Sequence, residues 1–151
     1  MQASEESAEV NTEGAAQAGG SPGSVDLNPL LDAMLEVRGA TAAAVVTADA
    51  EVLASRSVDR ALLERTVEII TSALAAGQAL GELLETDESE PGAGPEQVTL
   101  IFGEGPILLR PVPAAKRVLV LALASEHDLG RARLMLRGAI SRLAESVLAA
   151  E

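Results

Sequence analysis

Between residues 59 and 86 the chain reads DRALLERTVEIITSALAAGQALGELLET, a helical pattern with no proline. Its apolar residues form two neighbouring stripes. One runs Leu63, Val67, Ile70, Leu74, Gly77, Gly81 and Leu84; the other runs Leu62, Thr66, Ile69, Ala73, Ala76, Leu80 and Leu83. A helix on the surface of one domain needs a single stripe to face its core. Two adjacent stripes predict a helix that packs on its own domain and on a second body as well. Gly77 and Gly81 each cost about 1 kcal/mol relative to Ala in a helix interior. Four residues apart on one face, they suit either a close seat on the helix's own sheet or the close approach of another helix. The surplus of apolar surface favours the second.

The rest of the chain supplies a sheet for that helix. A helix is predicted over 29–37, with Asn28 as N-cap, Pro29 as first helical residue and Gly39 as a left-handed cap. A strand follows over 41–47 (TAAAVVT), a turn at Ala48, Asp49 and Ala50, and a return strand over 51–55. After the long helix, capped by Ser57 or Asp59, the stretch TDESEPGAGPE at 86–96 has the prolines, glycines and charges of a loop. Strands are predicted over 97–102 (QVTLIF) and 107–112 (ILLRPV), with Pro111 suiting an edge or a bulge. The nearly continuous apolar run RVLVLAL at 117–123 predicts a central strand covered on both faces. A last helix over 129–149, capped by Asp128, shows a face of Ala132, Leu136, Ala139, Ile140, Leu143 and Val147. The expected fold is α/β (α+β) in the order α-β-β-α-β-β-β-α: a five-stranded antiparallel sheet with helices on both faces.

Composition sets the division into domains and removes several functions. Residues 1–26 carry Glu5, Glu6, Glu9, Glu13 and Asp26, no basic residue and almost nothing to bury. They predict a disordered acidic tail, with the foldable domain over 27–151. Aromatic residues make up 1% of the chain, so single-stranded nucleic acid finds no stacking platform. A net charge of -12 opposes binding to phosphate backbones. The absence of Cys removes thiolate chemistry and Cys-ligated metals, and one His leaves little for His-based catalysis. No run approaches ~20 uninterrupted apolar residues, and the acidic N-terminus lacks the pattern of a signal peptide. The expectation is a cytoplasmic protein without membrane insertion. Abundant Arg and Ala, with Lys116 the only lysine, suggest a GC-rich bacterial source.

The remaining chemical candidates are weak. Gly103-Glu104-Gly105 leads into a strand with no following Lys, so it reads as a hairpin turn rather than a phosphate loop. Ser125, His127 and Asp128 are too close in sequence to assume triad geometry readily. Glu88 and Glu90 lack the spacing of a calcium loop. Arg131, Arg133, Arg137 and Arg142 concentrate positive charge on the last helix. They either snorkel beside its apolar stripe and pair with local carboxylates, or meet an acidic partner. No catalytic residue, metal site or cofactor is expected.

The segments LLDAMLEVRGATAAAVVTADAEVLAS and LVLALASEHDLGRARLMLRGAISRLAESV, with the long helix between them, resemble the roadblock-type dynein light chain family. The resemblance covers residues 27–149 and rests on hydrophobic pattern. One departure is Asp49-Ala50, where the family's hairpin often carries Asp-Gly. The resemblance implies a roadblock/longin/profilin-like fold and a homodimer with one continuous sheet. The third strand would pair across the dimer, and the two long helices would meet on one face. An apolar unpaired edge such as QVTLIF needs cover in any case. The expected dimer interface is Leu63, Val67, Ile70, Leu74, Gly77, Gly81, Leu84, Val98 and Leu100. The resemblance further implies a non-enzymatic platform that binds and regulates or scaffolds a small Ras-like GTPase. Arg60, Glu64, Arg65, Glu68, Gln78 and Glu82 are the candidate partner-binding residues. Relatives that activate gliding-motility GTPases often carry a C-terminal extension. No such extension follows the last helix here, which favours binding over activation. The alternatives are a small-molecule-sensing domain and a purely structural one.

Overall fold

The computed structural model of the chain describes residues 26–90 and 94–150, with side chains up to residue 145. The acidic tail expected over 1–26, apart from Asp26, lies outside the described residues, as do residues 91–93 of the acidic loop and the side chain of Val147.

The first helix, α1 (Asn28–Leu35), begins with Pro29 in its first turn. Asn28 does not act as its N-cap. Leu27 occupies that position without a side-chain cap, and the Asp26 carboxylate accepts the Asn28 N–H at 3.0 Å. The Asn28 side-chain oxygen instead accepts from Arg56 Nη2 at 2.8 Å, and the same guanidinium pairs with Asp32. Arg56 therefore ties α1 to the strand that ends beside it. The helix stops at Leu35, and Gly39, at φ +84°, closes the turn after it. A side chain at Gly39 would also meet Asp128, whose Oδ2 would lie 2.5 Å from an added Cβ.

β1 (Ala40–Thr47) and β2 (Val52–Arg56) form a hairpin. Thr47 shapes its turn: the hydroxyl oxygen accepts from the N–H of Asp49 at 3.2 Å and of Glu51 at 3.0 Å. The Ala50 N–H returns to Thr47 O at 3.1 Å, with Ala50 left-handed at φ +70°. Such a turn usually takes Gly there.

The long helix, α2 (Arg60–Gly81), is capped by Asp59, which accepts the Ala61 N–H at 3.1 Å. It tightens into a 3₁₀ turn over Glu82–Leu84. β3 (Val98–Phe102), β4 (Gly105–Val112) and β5 (Arg117–Leu123) complete the sheet, and α3 (Leu129–Ala150) ends the described chain.

The sheet has five strands in the order β2-β1-β5-β4-β3, each pair antiparallel. The apolar run of β5 is central, as its composition requires. β4 is not an edge strand, although Pro111 suggested one. The ladder with β3 stops where Val98 meets Leu109, so Pro111 lies where no β3 neighbour asks for its missing N–H.

Side chains alternate across the sheet. Ala43, Val45, Leu108, Leu119 and Leu121 join Leu31 and Met34 of α1 and Ala132, Leu136, Ala139 and Leu143 of α3 in one core layer. Ala44, Val46, Leu109 and Val118 join Leu63 and Val67 of α2 in the other. Two helices thus cover one face of the sheet, and among the described residues α2 is the helix that covers the other.

Candidate interaction surface

One helix cannot cover a five-stranded sheet, and the residues α2 leaves uncovered are apolar. The first stripe of α2 faces inward: Leu63 and Val67 are 6% and 4% exposed, and Ile70 and Leu74, with Ala73 of the second stripe, pack around them. The second stripe faces water. Ile69 is 66% exposed, Leu80 65% and Leu83 82%, and Leu84 at the end of the first stripe is 82% exposed as well. Between Leu62 and Ile69 on the helix and Leu100, Phe102, Ile107 and Ala122 on the sheet lies an open groove of about 390 Å³. No charged side chain lines it.

The groove continues onto the outer edge of the sheet. Among the described residues β3 pairs only with β4, which leaves its other side an open edge, and Leu100, Ile101 and Phe102 are all exposed along it. Helix stripe, groove and edge adjoin as one apolar surface rather than as scattered surface residues. By length and composition the stretch Arg60–Leu84 would also suffice to cross a membrane. Yet Leu63 and Val67 are seated on the sheet, and Arg60, Glu64, Arg65 and Glu68 occupy its first turns.

No protein-family model matches the sequence, and no curated protein is significantly similar to it. Solved structures do match. A Roadblock/LC7 domain from Streptomyces avermitilis superposes with a TM-score of 0.70 at 14% identity, covering 82% of this chain and 99% of that one. The fold is the Roadblock/LC7 fold. The gliding protein MglB of Thermus thermophilus matches at TM-score 0.66 and 21% identity, over 80% of this chain and 87% of its own. An MglB with tetrameric arrangement matches at TM-score 0.64 and 23% identity, over 82% and 88%.

Within the Roadblock/LC7 fold, the residues expected at a dimer interface separate into two groups. Leu63 and Val67 are spent on the chain's own core and keep almost no surface for a partner. Ile70, Leu74 and Val98 pack partly against that core. Gly77 faces its own chain: an added Cβ would lie 2.9 Å from Pro95 Cγ and 3.5 Å from Val98 Cγ2. Its bareness seats the loop before β3, which is the own-chain alternative rather than approach of a partner. Gly81, with nothing within 4 Å of an added Cβ, and the exposed Leu84 and Leu100 remain available. Leu62, Ile69, Leu80, Leu83, Ile101 and Phe102 were not among the expected contacts, though Leu62, Ile69, Leu80 and Leu83 belong to the second stripe that the sequence displays.

The candidate partner-binding residues Arg60, Glu64, Arg65, Glu68, Gln78 and Glu82 are all exposed. Arg60 is held by Glu64 at 3.2 Å and by Val52 O at 2.8 Å, which fixes it at the foot of the helix. At 100° per residue, Arg60, Glu64, Glu68, Gln78 and Glu82 share the flank away from the groove, and Arg65 lies on the outer face nearer the apolar stripe. The polar set and the apolar surface are therefore two sides of one helix.

The weaker chemical candidates stay weak. Ser125 Oγ and His127 Nδ1 lie 3.0 Å apart, but Ser125 also caps the 3₁₀ turn by accepting the His127 N–H at 3.1 Å. Asp128 sits against Gly39 instead of lining up behind the imidazole. No cluster of three metal-ligating side chains lies among the described residues.

Proposed function

We propose that the protein is a non-enzymatic homodimeric platform that binds and regulates or scaffolds a small Ras-like GTPase. The observation that carries this reading is the continuous apolar surface of α2, groove and β3 edge in a Roadblock/LC7 fold. A second copy presenting the same surface covers it by two-fold symmetry, as an isologous contact requires. Free β3 edges then pair with each other, and Leu62, Ile69, Leu80, Leu83, Leu84 and Leu100 of both copies leave water together. The tetrameric arrangement of one MglB supports self-association as a habit of this fold. The polar flank of each α2, from Arg60 to Glu82, frames the paired helices and supplies the surface for the GTPase. No residue is nominated as catalytic. Any effect on hydrolysis works by ordering the GTPase's own switch loops.

Light scattering tests the dimer: the expected mass is twice that of the 15.4 kDa chain. Immobilised protein, loaded with host lysate once with a non-hydrolysable GTP analogue and once with GDP, tests the partner. A small GTPase held in one nucleotide state makes the protein a regulator or effector. Retention in both makes it a scaffold. A dimer that retains none refutes the GTPase half of the proposal and leaves a structural or ligand-sensing domain.

A further inference from the structure

The outer face of α3 is basic and has no ion-pair partner among the described residues. Arg131, Arg133, Arg137 and Arg142 are all exposed, and none has a hydrogen bond or ion pair among the described residues. Of the two alternatives for them, pairing with local carboxylates is not seen among the described residues. Glu145 is the only acid on the helix from Leu129 to Glu145. Asp26 and Glu36 border the same α1–α3 groove as Arg142 without bonding to it. At 100° per residue, Arg131 and Arg142 flank the side toward α1, Arg133 and Arg137 flank the other, and Leu134, 68% exposed, stands between. A chain of net charge -12 has carboxylates in excess, so four guanidiniums along one helix with no carboxylate partner among the described residues are informative.

One segment of the chain matches this face. Residues 1–13, MQASEESAEVNTE, carry Glu5, Glu6, Glu9 and Glu13 with Val10 among them and no basic side chain. The spacer 14–25, GAAQAGGSPGSV, is uncharged and joins at Asp26, which itself borders the groove beside Arg142. We propose that residues 1–13 occupy the outer face of α3 in the same chain, carboxylates against the arginines and Val10 against Leu134. The reach is sufficient. A twelve-residue spacer extends to roughly 40 Å, and a helix of 22 residues is about 33 Å long. Tethering holds the segment at millimolar effective concentration, so contacts that are individually weak and salt-screened suffice. An acidic partner would have to displace the segment to reach α3. This face lies across the sheet from α2, so the inference stands apart from the dimer and GTPase reading.

The test uses the full chain. Since it contains no cysteine, Ser4→Cys gives one attachment point for a nitroxide, and α3 amides are read by paramagnetic broadening. The expected result is broadening of the amides of residues 131–142 several-fold above that of α2, abolished at ~0.5 M salt. It should also vanish when Arg131, Arg133, Arg137 and Arg142 are all replaced by Gln, a change of exposed side chains that keeps helix propensity. Broadening that is absent, uniform over the domain, or unchanged by the four substitutions overturns the proposal. So does broadening of equal size when the nitroxide and the isotope label are on different copies, which would place the segment on a neighbour.

Discussion

Three backbone positions show how single residues hold this fold. Gly105 has φ +132°, and an added Cβ would lie 2.0 Å from Leu123 O, in the backbone of the neighbouring strand. Neither atom can yield without opening the β4–β5 ladder, so Gly105→Ala is expected to cost more than about 2 kcal/mol, read as a lower denaturation midpoint. Ala50 shows the converse: it is left-handed at φ +70° in a turn that favours Gly. Ala50→Gly is expected to raise stability by about 1 kcal/mol, since the left-handed strain of an L-residue is about that size, and chemical denaturation of the two proteins measures it. Gly39 stands between these cases, because both its φ and the Asp128 carboxylate restrict it. Asp49-Ala50 was visible in the sequence as a departure from Asp-Gly. The crowding at Gly105 was not, because Leu123 reaches it only through strand pairing across the sheet.

α2 is the element on which sequence and structure inform each other most. The sequence displayed two apolar stripes, and both are used: one on the sheet, one facing water. Leu63 and Val67, expected at a dimer interface, are buried in the chain's own core, because periodicity fixes the angle between stripes but not the direction of the core. That placement separates two kinds of mutation. Leu63→Ala removes buried side chain and is expected to cost 2–4 kcal/mol of stability, roughly the range for such core truncations. The pair Ile69→Glu and Leu80→Glu changes only the outward stripe. It should halve the mass seen by light scattering while leaving the helical circular dichroism intact; an unchanged mass would remove α2 from the interface. Gly77 moves to a different role. Its open side receives Pro95, so a larger residue there would first dislodge the loop before β3.

At the scale of the whole molecule, the sheet is covered unevenly. α1 and α3 close one face, while α2 leaves a groove and a free apolar edge on the other. Ile101, 57% exposed on that edge, gives a direct check. Ile101→Lys is expected to weaken self-association at unchanged monomer fold, since a charge on an edge strand opposes strand pairing, and sedimentation at several concentrations reads the shift. Removing residues 1–25 should change the melting temperature by no more than a few degrees, because exposed charge pairs contribute about 0–1 kcal/mol each; calorimetry of both chains checks it. The same deletion should expose the basic face of α3 to acidic partners.

The element order, the central place of β5, the long helix with Ser57 or Asp59 to cap it, and the split into two apolar stripes were all present in the sequence. These depend on local periodicity and turn chemistry, which neighbouring residues determine among themselves. The tertiary structure alone decided which stripe of α2 faces the sheet, that Pro111 sits past the end of β3, that Asn28 meets Arg56 rather than capping α1, and that the arginines of α3 find no carboxylate among the described residues. Each of these depends on residues far apart in the chain meeting in space, and no local pattern records where such partners will stand.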